Sequence, residues 1–121
     1  MVEMSFEPGE LLDQIPMELT HADSDGVIRC RNRAAVQRPS PRPGDIGSNI
    51  RDCHAQTESL KKIDLIFADF LTGRKTPHHY VSDRMGIKEL VTLIPTCGNE
   101  QFSGCLTVVH ALALNVKNRS F

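Results

Sequence analysis

Apolar positions recur at helical spacing in the middle of the chain and alternate with polar ones on both sides of it. Leu60, Ile63, Phe67 and the Phe70-Leu71 pair fall on one stripe of a 3.6-residue period, with Lys61, Lys62, Asp64 and Asp69 on the opposite face. Thr57 suits an N-cap, Glu58 the first turn and Gly73 the stop, so the spacing predicts a helix over 57–72. Upstream, Glu10 to Ile15 predicts a short helix ended by Pro16. Met17–Ala22 and Val27–Arg31 read as strands joined by the turn Asp23-Ser24-Asp25-Gly26. Strict alternation puts Ile28 and Cys30 on one face of that second strand and Val27, Arg29 and Arg31 on the other. Asn32 follows as a helix or turn cap.

The last third is strand-like. Residues 77–83 form one strand with Tyr80 near its middle, broken at Met85-Gly86, and residues 88–94 a second, stopped by Pro95. Residues 96–100 make a hairpin loop. Residues 102–112 form the longest β run, and 113–116 begin a short terminal helix. Residues 38–44 hold three prolines at alternate positions, which forces an extended loop inside one domain. This order predicts an α+β domain in which one five-stranded antiparallel sheet is covered by helices on one face.

Composition narrows the function. The chain has 121 residues, room for one domain with a real core. A net charge of −1 argues against nucleic-acid partners, and no apolar run approaches the roughly 20 residues of a membrane span. The four cysteines, 30, 53, 97 and 105, form no C-x-x-C pair, and the N-terminus lacks a basic, apolar leader. A cytoplasmic protein with reduced thiols is the expectation, with Cys30 and Cys105 buried in strands as small hydrophobes.

Several strings resemble a PAS domain of the sensory kind found in bacterial and archaeal signalling proteins. They are Leu11-Leu12-Asp13-Gln14-Ile15-Pro16-Met17-Glu18-Leu19-Thr20, Ala22-Asp23-Ser24-Asp25-Gly26-Val27-Ile28-Arg29, and Asn32-Arg33. Further on come Leu71-Thr72-Gly73-Arg74-Lys75 and Phe102-Ser103-Gly104-Cys105-Leu106-Thr107-Val108-Val109. The most specific is Ile46-Gly47-Ser48-Asn49-Ile50-Arg51-Asp52-Cys53-His54 ahead of an amphipathic helix. The resemblance implies a PAS domain over 10–112, an N-terminal extension over 1–9, and a tail or start of a signalling helix over 113–121. It departs from the family after His54, which is followed by Ala55-Gln56-Thr57 rather than proline and a basic-serine cluster. It departs again at Tyr80, where the family tends to have tryptophan.

The resemblance implies a sensor that binds a small ligand between sheet and helices and passes its occupancy to an effector domain or protein. It also implies a homodimer formed through the N-terminal region (Phe6, Leu11, Leu12 and Ile15) and the outer sheet face. A histidine in a string like that of His54 is an axial haem ligand in PAS domains of carbon-monoxide-sensing regulators. The candidate cofactor is therefore haem, with His54 as the iron ligand and His78 or His79 as the second, alternation letting only one of that pair face the pocket. The plainer reading of His54 is a residue that caps local backbone and orders the loop before the helix. His21 and His110 lie on the first and last strands, which pair in such sheets, but two ligands fall short of a zinc site.

No G-x-S-x-G, H-E-x-x-H or Gly-rich phosphate loop occurs, so an enzyme is not expected. Adjacent Cys53 and His54 are the weakest alternative, a small thiol enzyme. A ligand-free dimerisation module is the stronger one.

Overall fold

A computed structural model of the chain describes residues 7–38, 45–53, 57–84 and 86–112. The elements run α1 (Pro8–Asp13), β1 (Glu18–Asp23), β2 (Ile28–Arg31), α2 (Arg33–Gln37), a 3-10 turn (Ile50–Cys53), α3 (Thr57–Leu71), β3 (His78–Arg84), β4 (Ile87–Gly98) and β5 (Gln101–Ala111). All strands pair antiparallel in the order β2-β1-β5-β4-β3, so the last strand occupies the middle of the sheet. The α+β sheet architecture expected from the pattern is the one observed.

Three local readings change. Pro95 does not end β4, because it sits opposite Cys105 beside a register shift at Thr96/Cys97, and the strand continues to Gly98. A proline is tolerated beside such an irregularity, where the ladder is already interrupted. Asn32 starts a real helix, α2, too short to announce itself by periodicity. Finally, His21 faces Cys30 while Ala22 faces Ile28, which leaves Arg29 as an extra residue in β2. That bulge turns Ile28 inward and Cys30 outward, so Cys30 is exposed rather than buried. The terminal helix expected over 113–116 and most of the proline loop lie outside the described residues.

Registers place the helix-facing side of the sheet in rows. Ala22, Cys105 and Pro95 form one; Thr20, Thr107, Leu93 and His78 the next; Glu18, Val109, Val91 and Tyr80 the third; Ala111, Glu89 and Ser82 the last. The amphipathic stripe of α3 explains the core. Ile63, Ile66, Phe67 and Phe70 are buried against Val91, Leu93 and Cys105, with Phe102 edge-on to Phe67. Leu71, at the edge of the stripe, is exposed instead. Ala22, Ile28 and Ile50 make a second, smaller cluster on the β1–β2 side.

Asn32 ties the N-terminal segment to this frame. Its Oδ1 accepts from the N–H groups of Leu19 and Ala35, and its Nδ2 donates to the carbonyls of Leu12, Ile15 and Met17. The side chain is buried with both ends engaged, which fixes the entry of β1 and the start of α2 together.

Candidate functional site

The helix-facing side of the sheet divides into an apolar half, on β3, β4 and β5 under α3, and a polar patch on β1, β5 and β4. Glu18 and Glu89 lie diagonally across β5 in the last two rows. Arg38, immediately after α2, spans them. Its Nη1 donates to both oxygens of Glu18 at 2.8 and 2.9 Å, and its Nη2 donates to Glu89 Oε1 at 2.8 Å. Glu89 is only 3% exposed, whereas Arg38 and Glu18 keep partial access. Burial pulls the Arg38 pKa down, but the two carboxylates outweigh it and hold the guanidinium above its ordinary value.

One row away, Thr20 and Thr107 face each other across β1 and β5. Among the described residues, Thr107 Oγ1 is the one buried side-chain oxygen or nitrogen with no hydrogen-bond partner. Such a group costs about 1–3 kcal/mol and calls for an explanation. The Cys105 thiol, two residues along the same strand face, is near enough to be influenced by this hydroxyl but does not meet it in hydrogen-bonding geometry. Cys105 is itself fully buried under α3, and burial pushes its thiol up to about 12, which makes it inert packing rather than a nucleophile. The patch thus sets an unpaired hydroxyl one row from a carboxylate–guanidinium cluster on the helix-facing side of the sheet.

The sequence did not single out this patch. Arg38 opens the proline-rich stretch and reads as loop, and Thr107 reads as an ordinary β-branched strand residue. Glu89 did leave a signal, because alternation through Glu89, Val91 and Leu93 puts a carboxylate on a buried strand face.

Of the predicted histidines, His78 and His79 lie among the described residues. His54 lies outside the described residues, as do its contacts with the adjacent Cys53. His78 faces α3, its Nε2 at 3.0 Å from Asp69 Oδ2 and its ring against Phe70. His79 points to the other side of the sheet, exposed, with Nδ1 at 3.0 Å from Thr92 Oγ1. The two therefore take opposite faces, as alternation requires. Of that pair, His78 is the helix-facing one, with Nε2 engaged by Asp69 and its ring tilted against Phe70. Among the described residues no three His, Cys, Asp or Glu side chains converge as a metal site.

His21 and His110 stay apart. His21 pairs in register with Leu106, four residues from His110, and its Nε2 contacts Thr96 Oγ1 at 3.0 Å. Beside β3 runs an open groove of about 440 Å³, walled by Lys62, Leu65, Ile66 and Asp69 of α3 and by His78, His79 and Tyr80. Lys62 Nζ sits 4.2 Å from the Tyr80 ring centroid, and burial raises the Tyr80 pKa. Among the described residues no helix is long and apolar enough to cross a membrane.

Comparison with known proteins agrees with this geometry. A family profile described as "PAS domain" matches residues 9–110. No curated protein sequence matches. Among solved structures, the PAS domain of Bordetella pertussis BvgS superposes with a TM-score of 0.68 at 13% identity, covering 90% of this chain and 86% of that one. A sensory box histidine kinase of Vibrio cholerae gives 0.64 at 17% identity, covering 87% and 88%. A dual PAS-haem oxygen sensor, also of Vibrio cholerae, gives 0.59 at 18% identity, covering 80% and 95%. Likeness at these identities concerns the fold, and the profile match, which spans most of the chain, concerns the family. This chain is a member of the PAS domain family.

Proposed function

We propose that this PAS domain is a sensory module that binds a small polar ligand over the β1–β5–β4 patch, with Thr107, Glu18, Glu89 and Arg38 as its hydrogen-bonding lining. The observation that carries the reading is the buried, unpartnered Thr107 hydroxyl one row from a buried carboxylate–guanidinium cluster. A fold that leaves a hydroxyl unpaired in its interior loses stability, and a ligand that pairs it restores that loss. The cluster offers acceptors and a donor, so it suits an amine-bearing or zwitterionic molecule better than an apolar one.

Signalling then follows from differential affinity. Arg38 lies between α2 and the sheet, so a ligand that competes for Glu18 or Glu89 alters how the α2 end is held. The occupied and empty arrangements must differ in ligand affinity for that change to reach an effector domain or protein. The reading is regulatory rather than enzymatic, and it takes the domain as cytoplasmic and homodimeric. It is tested by thermal-shift titration with the standard amino acids, a set of small polyamines, and haem. A stabilising amine or zwitterion supports it. A Soret band that His54→Ala abolishes replaces it with the haem reading, and no response to any probe, with a dimer by light scattering, replaces it with a ligand-free dimerisation module.

A further inference from the structure

The two edges of the sheet are finished differently. At the β2 edge the chain covers itself. Ile28 N–H donates to the Ser48 carbonyl, Gly47 N–H donates to the Ile28 carbonyl, and Val27 forms an isolated bridge with Asn49. At the other edge, β3 is paired along its full length to β4 on one side. Among the described residues no backbone hydrogen bond reaches positions 79–83 from the other side. A seven-residue edge with no strand on its outer side among the described residues is a template for another strand.

From this edge we infer that β3 pairs antiparallel with β3 of a second copy of this chain about a two-fold axis through Val81, joining two sheets edge to edge. Complementary hydrogen-bonding groups select this occupant. Antiparallel pairing centred on Val81 sets position 79 against 83 and position 80 against 82, twice over by symmetry. His79 therefore meets the partner's Asp83 on one face, while Tyr80 meets the partner's Ser82 on the other. His79 uses Nδ1 toward Thr92, which leaves Nε2 to donate to that carboxylate. Asp83 accepts from Gly86 N–H and Lys88 Nζ, and a carboxylate has capacity for a further bond.

Val81 itself is 56% exposed on an otherwise regular strand and would pack against its own copy at the axis. Leu65, 69% exposed on the wall of the groove beside β3, adds apolar surface next to the same edge. A strand centred on an exposed valine, with a ring N–H donor and a carboxylate acceptor two residues either side, is self-complementary in this one register. A one-residue slip would put His79 against Ser82 and Val81 against Tyr80, and the His–Asp pairs would be lost.

The inference rests on the reading that the domain works as a homodimer, and the test separates the two. Sedimentation or light scattering of the whole chain over a concentration series gives the dimer dissociation constant. His79→Asp, which puts like charges opposite the partner's Asp83, is expected to weaken association roughly tenfold, and His79→Lys to strengthen it by a similar factor. With Cys30, Cys53 and Cys97 replaced by Ser, Val81→Cys is expected to form an intermolecular disulfide on mild oxidation, since cross-strand partners lie within disulfide reach. Circular dichroism confirms that each variant is folded. A dimer indifferent to both His79 substitutions, and in which Val81→Cys forms no cross-link, overturns this interface while leaving the homodimer reading intact. A wild-type chain that stays monomeric overturns both.

Discussion

Arg38 Nη2 and Glu89 Oε1 lie 2.8 Å apart, joining the end of α2 to a buried carboxylate on β4 across 51 positions of chain. The same guanidinium grips Glu18 through both carboxylate oxygens, so one side chain fastens α2 to two strands at once. Removing Glu89 takes away a charge-assisted bond and leaves Arg38 held by Glu18. Glu89→Leu is expected to lower unfolding free energy by about 2 kcal/mol in urea titrations. The double variant Arg38→Met/Glu89→Leu is expected to lose less than the sum of its parts, since both changes then remove the same interaction. Additive losses would show that the two residues are independent.

The Asn32 side chain works as donor and acceptor at once, and two substitutions separate these roles. Asn32→Ala empties the site and leaves two N–H groups and three carbonyls short of a partner. Asn32→Asp keeps the acceptor but turns a carboxylate oxygen toward the carbonyls of Leu12, Ile15 and Met17. Both are expected to destabilise by about 3 kcal/mol, a loss readable in thermal or urea unfolding. An aspartate variant as stable as wild type would show that the donated bonds add nothing.

Asp23 controls acid stability at the first hairpin. Its carboxylate accepts from the N–H groups of Val27 and Asp25 and from the Arg29 guanidinium, with the Val27 bond foremost in holding its pKa below the ordinary 3.8. A carboxyl whose folded pKa is depressed stabilises the fold above its unfolded pKa. That contribution is lost as pH falls through the folded value. Wild type should therefore exceed Asp23→Asn by about 1 kcal/mol from neutral pH down to about pH 4, with the gap closing below that. A gap that widens on acidification would reverse the sign and contradict the assignment.

Cysteine chemistry distinguishes the two faces of the sheet. Cys30 and Cys97 are exposed thiols, while Cys105 is buried under α3 with its thiol pushed up to about 12 by burial. At about pH 8 iodoacetamide is expected to modify Cys30 and Cys97 in the native protein, with Cys105 reacting only at the rate of unfolding, as peptide mass spectrometry would show. Rapid labelling of Cys105 would mean that α3 does not seal that row.

Most of the architecture was legible because it rests on periodicity. The α3 stripe, the first hairpin and the long final strand each declare themselves by spacing, and their order implies the sheet. Cys30 was misplaced because alternation assumes an unbroken ladder, and the extra residue Arg29 reverses its face. Pro95 misled for a related reason, since the register shift that accommodates it is a property of the β4–β5 pair and not of either strand. The polar patch stayed hidden because it is assembled from β1, α2, β4 and β5. Arg38 and Glu89 acquire meaning only once tertiary pairing brings them within hydrogen-bond reach. The histidines drew notice as a residue type with known chemistry, whereas Thr107 drew none.

Thr107→Val tests the central claim most directly, because it swaps the unpaired hydroxyl for a methyl of similar shape. If that hydroxyl serves a ligand, the variant without ligand should be as stable as wild type or more stable by about 1 kcal/mol. It should also lose the thermal shift that amino acids or polyamines give the wild type. A Thr107→Val protein that is less stable than wild type by about 1 kcal/mol or more, or that keeps the full ligand-induced shift, would contradict the account.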